Sequence, residues 1–208
     1  MFGWLKRRRE PTLADELRAL LARPEEDRPR PDLAAIERRL AADPRLANAG
    51  GPLIPAVRLG SLPLVRLLLR AKADPQVRAE RRMTLLHLAA EDGHVEIGRL
   101  LLEAGVPVDA IDRYRRTPLI VAAGYGQEAM ALMLLEQGAD LLAGDIVGER
   151  AVDWAIFNRH FDVARALLIA AGRDGPPTWG TSDVDLAVLA REDARARELV
   201  LARRGIRG

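Results

Sequence analysis

The chain has 208 residues, of which 49% are hydrophobic, and this share is ample for a folded core. It contains no cysteine, so disulfides, thiolate zinc sites and cysteine nucleophiles are excluded. The formal net charge is only +2, and no apolar run approaches the ~20 residues that a membrane span needs. Lys6 and Lys72 are the only lysines, so the positive charge is almost entirely arginine.

Residues 1–10 join a short apolar tip to a basic run. The tip precedes Lys6–Arg9, which is the reverse of the order in a secretory signal. The expected location is therefore cytoplasmic. Two interpretations of this tail stay open: a frayed basic terminus, or a segment from Met1 to Arg9 that touches an anionic membrane surface or a partner.

Two helices are predicted after this tail. Thr12 is placed to cap the first, with an aspartate three residues on and a stripe of leucines behind it. The charged, proline-rich run at residues 23–31 ends that helix, and a second is expected from Asp32 to near Asp43. Residues 11–50 are therefore interpreted as a degenerate N-terminal capping repeat.

A repeated pattern organises the middle of the chain. The run Thr84-Leu85-Leu86-His87 returns in altered form at Thr117-Pro118-Leu119-Ile120, and 117 minus 84 gives a period of 33 residues. Steps of the same length reach Gly51 and Arg150. A fixed period of this size is the signature of stacked repeats. Four copies are predicted, starting near residues 51, 84, 117 and 150.

Each copy is predicted to contain two antiparallel helices. In the third copy Thr117 supplies the N-cap oxygen and Pro118 takes the first helical position. Gly126 permits the reversal between the helices, and Gly138 ends the second one. Small residues recur in the first helices and allow them to approach closely: Ala56, Ala89, Ala90, Ala122, Ala123 and Ala155.

The pattern is interrupted after Gly172. A turn-rich loop is expected next, followed by C-terminal capping helices within residues 173–208, the first of them opened by Ser182. Trp179 in the loop is either exposed or packed at the seam before the cap, and the sequence does not choose between these positions.

The repeated copies resemble the ankyrin repeat. The motifs that carry the resemblance are Thr-Pro-Leu, Thr-Leu-Leu-His, Gly-His, a triple leucine and Gly-Ala-Asp, at Thr117–Leu119, Thr84–His87, Gly93–His94, Leu100–Leu102 and Gly138–Asp140. It covers residues 51–172 closely and the flanks loosely. It implies an all-α fold: an ankyrin-repeat solenoid of stacked helix-turn-helix units with projecting hairpin-like loops. About six units, including the terminal caps, would form one elongated domain.

The fourth copy departs most from the family pattern. Arg150 and Arg159 stand where threonine and glycine are usual, which leaves open whether its turn has the same geometry. Trp154 occupies the slot that holds Leu88 and Val121 in the sister copies. We therefore expect Trp154 in the core.

The resemblance also implies a protein partner, bound on a concave face made by the loops and the exposed side of each first helix. The residues at these positions are Arg58, Leu59, Arg78, Glu80, Arg81, Met83, Glu91, Asp92, Ile111, Arg113, Tyr114, Arg116, Tyr125, Ile146, Val147, Glu149, Phe157 and Asn158. Tyr114 and Tyr125 are the expected anchors, because aromatic residues and arginine are enriched in binding hot spots. Phe157 is either a third anchor or packed inward against Trp154.

Catalytic and metal chemistry are not expected. His87, His94 and His160 are the residue type that ligates metals and moves protons, but they match family positions at which histidine bonds loop backbone. No nucleophile or general base converges on the carboxylates in sequence. The run from Gly124 to Gly126 lies at a helix–helix turn, so it does not predict a phosphate loop.

The sequence thus predicts a non-enzymatic protein-binding module of the bacterial stand-alone type, monomeric and without a cofactor. It would act as an adaptor, or as an inhibitor in the manner of an immunity protein. The alternative is a peripheral membrane adaptor tethered by Met1–Arg9. Nucleic acid is not an expected partner, because the arginines alternate with acidic residues such as Glu80 and Glu149.

Overall fold

The computed structural model describes residues 11–174, with side chains through residue 170. These residues fall into two compact units that meet between Val77 and Arg78 in sequence. Every regular element in the described range is helical, which confirms the predicted all-α class. In this range no helix is both long and apolar enough to cross a membrane.

The first unit contains two helix pairs. Its α-helices are α1 (Leu13–Leu21), α2 (Leu33–Ala42), α3 (Leu53–Arg58) and α4 (Leu62–Arg70), with short 3₁₀ turns at Glu25–Asp27 and Pro44–Ala47. The predicted cap of α1 is confirmed, since Thr12 Oγ1 accepts the Asp15 N–H and the Asp15 carboxylate accepts the Thr12 N–H. Two of the N–H groups at the start of the helix, which have no helical partners, are thereby satisfied.

Apolar side chains on facing sides of these helices form the core of the first unit. Leu17, Ile36, Leu53 and Leu68 are all buried. A salt bridge of 2.7 Å from Arg39 to Glu16 also joins α2 to α1. Both of its side chains are about two-fifths exposed, so apolar burial contributes more to this packing than the ion pair does.

The second unit contains three helix pairs, each opened by a short helix. They are α5 (Leu85–Asp92) with α6 (Val95–Glu103), α7 (Pro118–Gly124) with α8 (Glu128–Glu136), and α9 (Ala151–Phe157) with α10 (Phe161–Asp174). Thr117 Oγ1 accepts the Ile120 N–H at 3.3 Å, and Pro118 begins α7. The predicted helix-turn-helix copies are confirmed in this unit.

Small residues bring the short helices together. Ala89, Ala90, Ala122, Ala123 and Ala155 have no exposed surface. Since α7 packs against both α5 and α9, any larger side chain at these positions would force the short helices apart. The alanines that the repeat pattern singled out therefore set the spacing of the stack in this unit.

In the second unit, the turn between the two helices of each pair has one residue in the left-handed conformation. Gly93 and Gly126 have φ of 71° and 76°, and Arg159 has φ of 64° at the same position in the last pair. The turn of the fourth copy therefore has the same backbone geometry as the others, although arginine disfavours a positive φ. At Gly126 a Cβ atom would also lie within 2.7 Å of the His160 ring.

Two expectations for the fourth copy were wrong. Trp154 is half-buried and not a core residue, because its indole N–H donates to the Asp145 carboxylate at 3.0 Å. The chain also stays helical through Gly172 to Asp174, so the interruption does not begin at residue 173. The expected loop with Trp179 and the capping helices from Ser182 onward lie outside the described residues.

Arg159→Gly should stabilise the protein by about 1 kcal/mol, because it removes the steric penalty of an L-residue with positive φ. Urea denaturation measures the change. Arg66→Gly is the matched control: Arg66 is exposed in the interior of α4, so the same substitution should destabilise by about 1 kcal/mol there. A destabilised Arg159→Gly variant would mean that the turn does not have this conformation.

Candidate partner-binding surface

Three short hairpins precede the helix pairs of the second unit, and we call them together the hairpin row. The first covers residues 79–83, the second 112–116 and the third 145–149. Each is closed by a backbone hydrogen bond from its first N–H to its last carbonyl, with N···O distances of 2.8, 3.1 and 2.9 Å. The projecting hairpin-like loops expected from the sequence are thus present.

Backbone hydrogen bonds also join each hairpin to the next. The Arg113 N–H donates to the Arg81 carbonyl at 2.8 Å, and the Ile146 N–H donates to the Tyr114 carbonyl at 2.9 Å. The Arg78 guanidinium adds a clamp, because it donates to the carbonyls of Arg82 and Ile111 at 2.9 and 3.1 Å. The order of the three tips along the row is therefore fixed by main-chain contacts.

A buried carboxylate organises the second hairpin. Asp112 is 4% exposed, and its Oδ1 accepts the N–H groups of Tyr114 and Arg116 at 2.7 and 2.9 Å. Its Oδ2 accepts the Nε and a terminal nitrogen of the Arg116 guanidinium at 2.9 and 2.8 Å. Four donors thus compensate the buried charge, as a buried carboxylate requires.

Asp145 has the same role in the third hairpin with a different donor. Its Oδ1 accepts the N–H groups of Val147 and Glu149 at 2.9 and 3.0 Å. Glu149 stands where the second hairpin has Arg116 and cannot donate from its side chain at neutral pH. The Trp154 indole N–H supplies the missing bond to Oδ2, which explains why this tryptophan leaves the core.

The second hairpin holds an exposed aromatic ring between two cations. The guanidinium carbons of Arg113 and Arg116 lie 5.6 and 5.4 Å from the centre of the Tyr114 ring, within the range of cation–π attraction. Because Arg116 is itself fixed by Asp112, the ring has a firm support on one side. Tyr114 is 39% exposed, so it offers a fixed apolar face to a partner.

His87 ties the first helix of its pair to the second hairpin. It is fully buried, and its Nδ1 lies 2.8 Å from Thr84 Oγ1 while its Nε2 lies 2.8 Å from the Arg116 carbonyl. The carbonyl can only accept, so the proton is assigned to Nε2. This is the backbone contact expected for a structural histidine. His160 lies against Gly126.

Most of the predicted surface residues in the second unit are exposed. This group contains Arg78, Glu80, Arg81, Ile111, Arg113, Tyr114, Tyr125, Ile146, Val147, Glu149, Phe157 and Asn158. Phe157 is 83% exposed, and its ring also meets Trp154 edge to face at 6.3 Å between centroids. The inward-packed alternative for Phe157 is therefore wrong, because the Trp154 contact leaves most of the ring accessible.

Other predicted residues lie elsewhere or have a different role. Met83 is only 7% exposed and was wrongly placed on the surface, because the first hairpin turns its side chain inward. Arg116 is largely buried against Asp112, so it supports the surface and is not freely available to a partner. Glu91 and Asp92 are half-buried. Arg58 and Leu59 belong to the first unit and are half-buried there.

Four residues that shape the hairpin row were missed in the sequence. The signal for Asp112 and Asp145 is present, since an aspartate recurs at the same position of two copies. The first hairpin has Ala79 there, which weakens the pattern. Arg82 and Arg115 are exposed at the tips with φ of 60° each, and no propensity rule predicts arginine in that conformation.

The helix pairs and hairpins define the class of helix-turn-helix repeat proteins, and comparison with known proteins names the family. Residues 53–145 match a family model described as ankyrin repeats (3 copies), so the chain carries an array of ankyrin repeats. No curated protein matches the chain. Ankyrin repeats generally mediate protein–protein interaction, and the family is typically non-enzymatic. The predicted family is thereby confirmed.

His87 should make stability depend on pH. Burial lowers the pKa of His87 below its ordinary value of 6.5. A proton added to Nδ1 would face the Thr84 N–H, which already donates to that nitrogen at 3.2 Å. Near and below pH 6.5 the unfolded chain therefore binds more protons than the folded chain. The contribution of His87 to the free energy of unfolding is fully present above pH 6.5 and decreases as the pH falls below it.

The measurement is urea denaturation of the wild-type protein and His87→Ala between pH 7.5 and 5.5. At the upper limit the variant should be less stable by about 2–4 kcal/mol, because it loses both buried hydrogen bonds and packing. The difference in the free energy of unfolding should narrow toward pH 5.5, because the buried histidine of the wild type then destabilises the folded state relative to the protonated unfolded chain. A difference that is constant across this range would contradict the assigned neutral state.

Proposed function

We propose that the protein binds a protein partner through the hairpin row of its second unit, with Tyr114 as the central anchor. The observation that supports this most strongly is that the Tyr114 ring lies between the guanidinium groups of Arg113 and Arg116. A fixed aromatic ring loses little conformational entropy on binding, and this favours affinity. Aromatic residues and arginine are also the types most enriched in hot spots.

The neighbourhood of Tyr114 adds apolar area. Ile111, Ile146 and Val147 lie on or next to the second and third hairpins and are exposed large hydrophobic residues, and the Ile146 N–H donates to the Tyr114 carbonyl. Phe157 is a further exposed hydrophobic residue, at the end of α9. Exposed apolar groups near an aromatic anchor, with charged residues around them, have the composition expected of an interface. The surface thus combines a rigid centre with apolar and charged flanks.

A protein that binds without catalysing a reaction acts by occupying a surface of its partner. The protein would act as an adaptor when the partner keeps its activity and as an inhibitor when the bound surface covers an active site. The two roles are distinguished by assaying the partner's own activity with and without the protein.

The experiment is affinity capture of the tagged protein from its native host, followed by titration of the partner that is retained. Tyr114→Ala should weaken binding by more than about 2 kcal/mol, or about 30-fold, with little change in melting temperature. The expected loss follows from removal of an anchor that is already held in position.

Leu132→Ala is the matched control. Leu132 lies on α8 and is 37% exposed, close to the 39% of Tyr114, but it belongs to a second helix and not to a hairpin. This variant should bind like the wild type. If Tyr114→Ala and the wild type bind the partner with equal affinity, the hairpin row is not the binding surface.

A further inference from the structure

The tips of the first two hairpins carry arginine where the backbone favours glycine. Arg81, Arg82 and Arg115 have φ of 56°, 60° and 60°, whereas Gly148 has φ of 89° at the matching position of the third hairpin. An L-residue in this region costs about 1–2 kcal/mol relative to its usual conformations. Local folding therefore does not explain the arginines, and strained residues of this kind cluster at binding sites.

The side chains at these tips do not stabilise the fold through ion pairs. Arg81, Arg82, Arg113 and Arg115 are exposed, and within residues 11–170 none of the four forms a salt bridge. The oxygens of Asp112, the buried carboxylate of the second hairpin, are already occupied by Arg116 and by backbone N–H groups. The charge of the tips is thus available to another molecule.

The charge of the row changes along its length. The first two hairpins contain five arginines against two carboxylates, whereas the third contains no basic residue and presents Ile146 and Val147 instead. Since backbone bonds fix the order of the hairpins, a basic segment lies directly beside an apolar one. A ligand that matches the row needs carboxylates next to an apolar side chain.

A protein segment fits this pattern better than a nucleic acid does. A phosphate-binding surface would continue its positive charge along the backbone of the ligand, but here the charge ends at the third hairpin, next to Glu149. Carboxylates form paired hydrogen bonds with guanidinium groups, and aliphatic side chains are suited to Ile146 and Val147. Both features are available within one short peptide.

We propose that the arginine-bearing tips of the first and second hairpins bind an acidic segment of the protein partner, and that an apolar residue beside this segment packs on Ile146 and Val147. This inference rests on the proposed function and specifies the chemistry of the partner. It also assigns Arg82 and Arg115 to the binding surface, where their side chains offset the strain of the tips when the partner is bound.

The probe is a fluorescein-labelled peptide with a run of glutamates followed by two leucines, titrated by fluorescence anisotropy at low ionic strength. The wild-type protein should bind it, and added salt should weaken the complex because exposed charges are screened. The double variant Arg82→Gly/Arg115→Gly should bind about tenfold more weakly and melt at a higher temperature, since glycine relieves the strain. Loss of binding in a stabilised variant cannot be attributed to unfolding.

Lys72→Gly is the matched control. Lys72 also has a positive φ, of 64°, but it follows α4 and lies outside the hairpin row. This variant should melt at a higher temperature and bind the peptide like the wild type. A peptide with lysine in place of every glutamate should not bind.

Three results would overturn the inference: no binding of the glutamate peptide, equal binding by the wild type and the double variant, or tighter binding of an oligothymidylate of equal charge. The last result would assign the tips to a nucleic acid. None of them bears on the Tyr114→Ala titration, so failure of the acidic-segment proposal is distinguishable from failure of the proposed function.

Discussion

A buried carboxylate at the base of a hairpin is the constraint on which the candidate surface depends. Asp112 and Asp145 each accept two backbone N–H groups through one oxygen and a side-chain donor through the other. A buried charge without these donors would be strongly unfavourable, so the hairpin has to close around it. The geometry of the second and third tips follows from satisfying one carboxylate each.

The first and last positions of the hairpins hold a different pair of residues in each of the three, and each pair is accommodated in its own way. In the second, an arginine faces the aspartate. In the third, Glu149 cannot donate, and Trp154 reaches over from α9 to do so. In the first, Ala79 removes the charge, and Met83 turns inward as an apolar residue. Only in the second hairpin does this pair of positions supply a cation, Arg116, to an exposed aromatic ring, and Arg113 lies beside the same ring. The second hairpin is therefore the centre of the proposed surface.

The repeat period predicted most of this fold, because helix caps, alanines and turn glycines are local signals that recur in each copy. It placed Tyr114 on a projecting hairpin for the same reason. It failed for Trp154, which was assigned by its slot to the core. Glu149 cannot donate to the buried Asp145 carboxylate, so Asp145 takes its side-chain donor from Trp154 instead. Arg82 and Arg115 were missed because their conformation opposes their residue type, and only the backbone dihedrals reveal it.

The most direct test of this account is hydrogen–deuterium exchange of Asp112→Ala against the wild-type protein. In the variant, the N–H groups of Tyr114 and Arg116 should lose protection, because their shared acceptor is gone, while α5 and α8 retain theirs. Equal protection of the second hairpin in both proteins would mean that the buried carboxylate does not hold the candidate surface in shape.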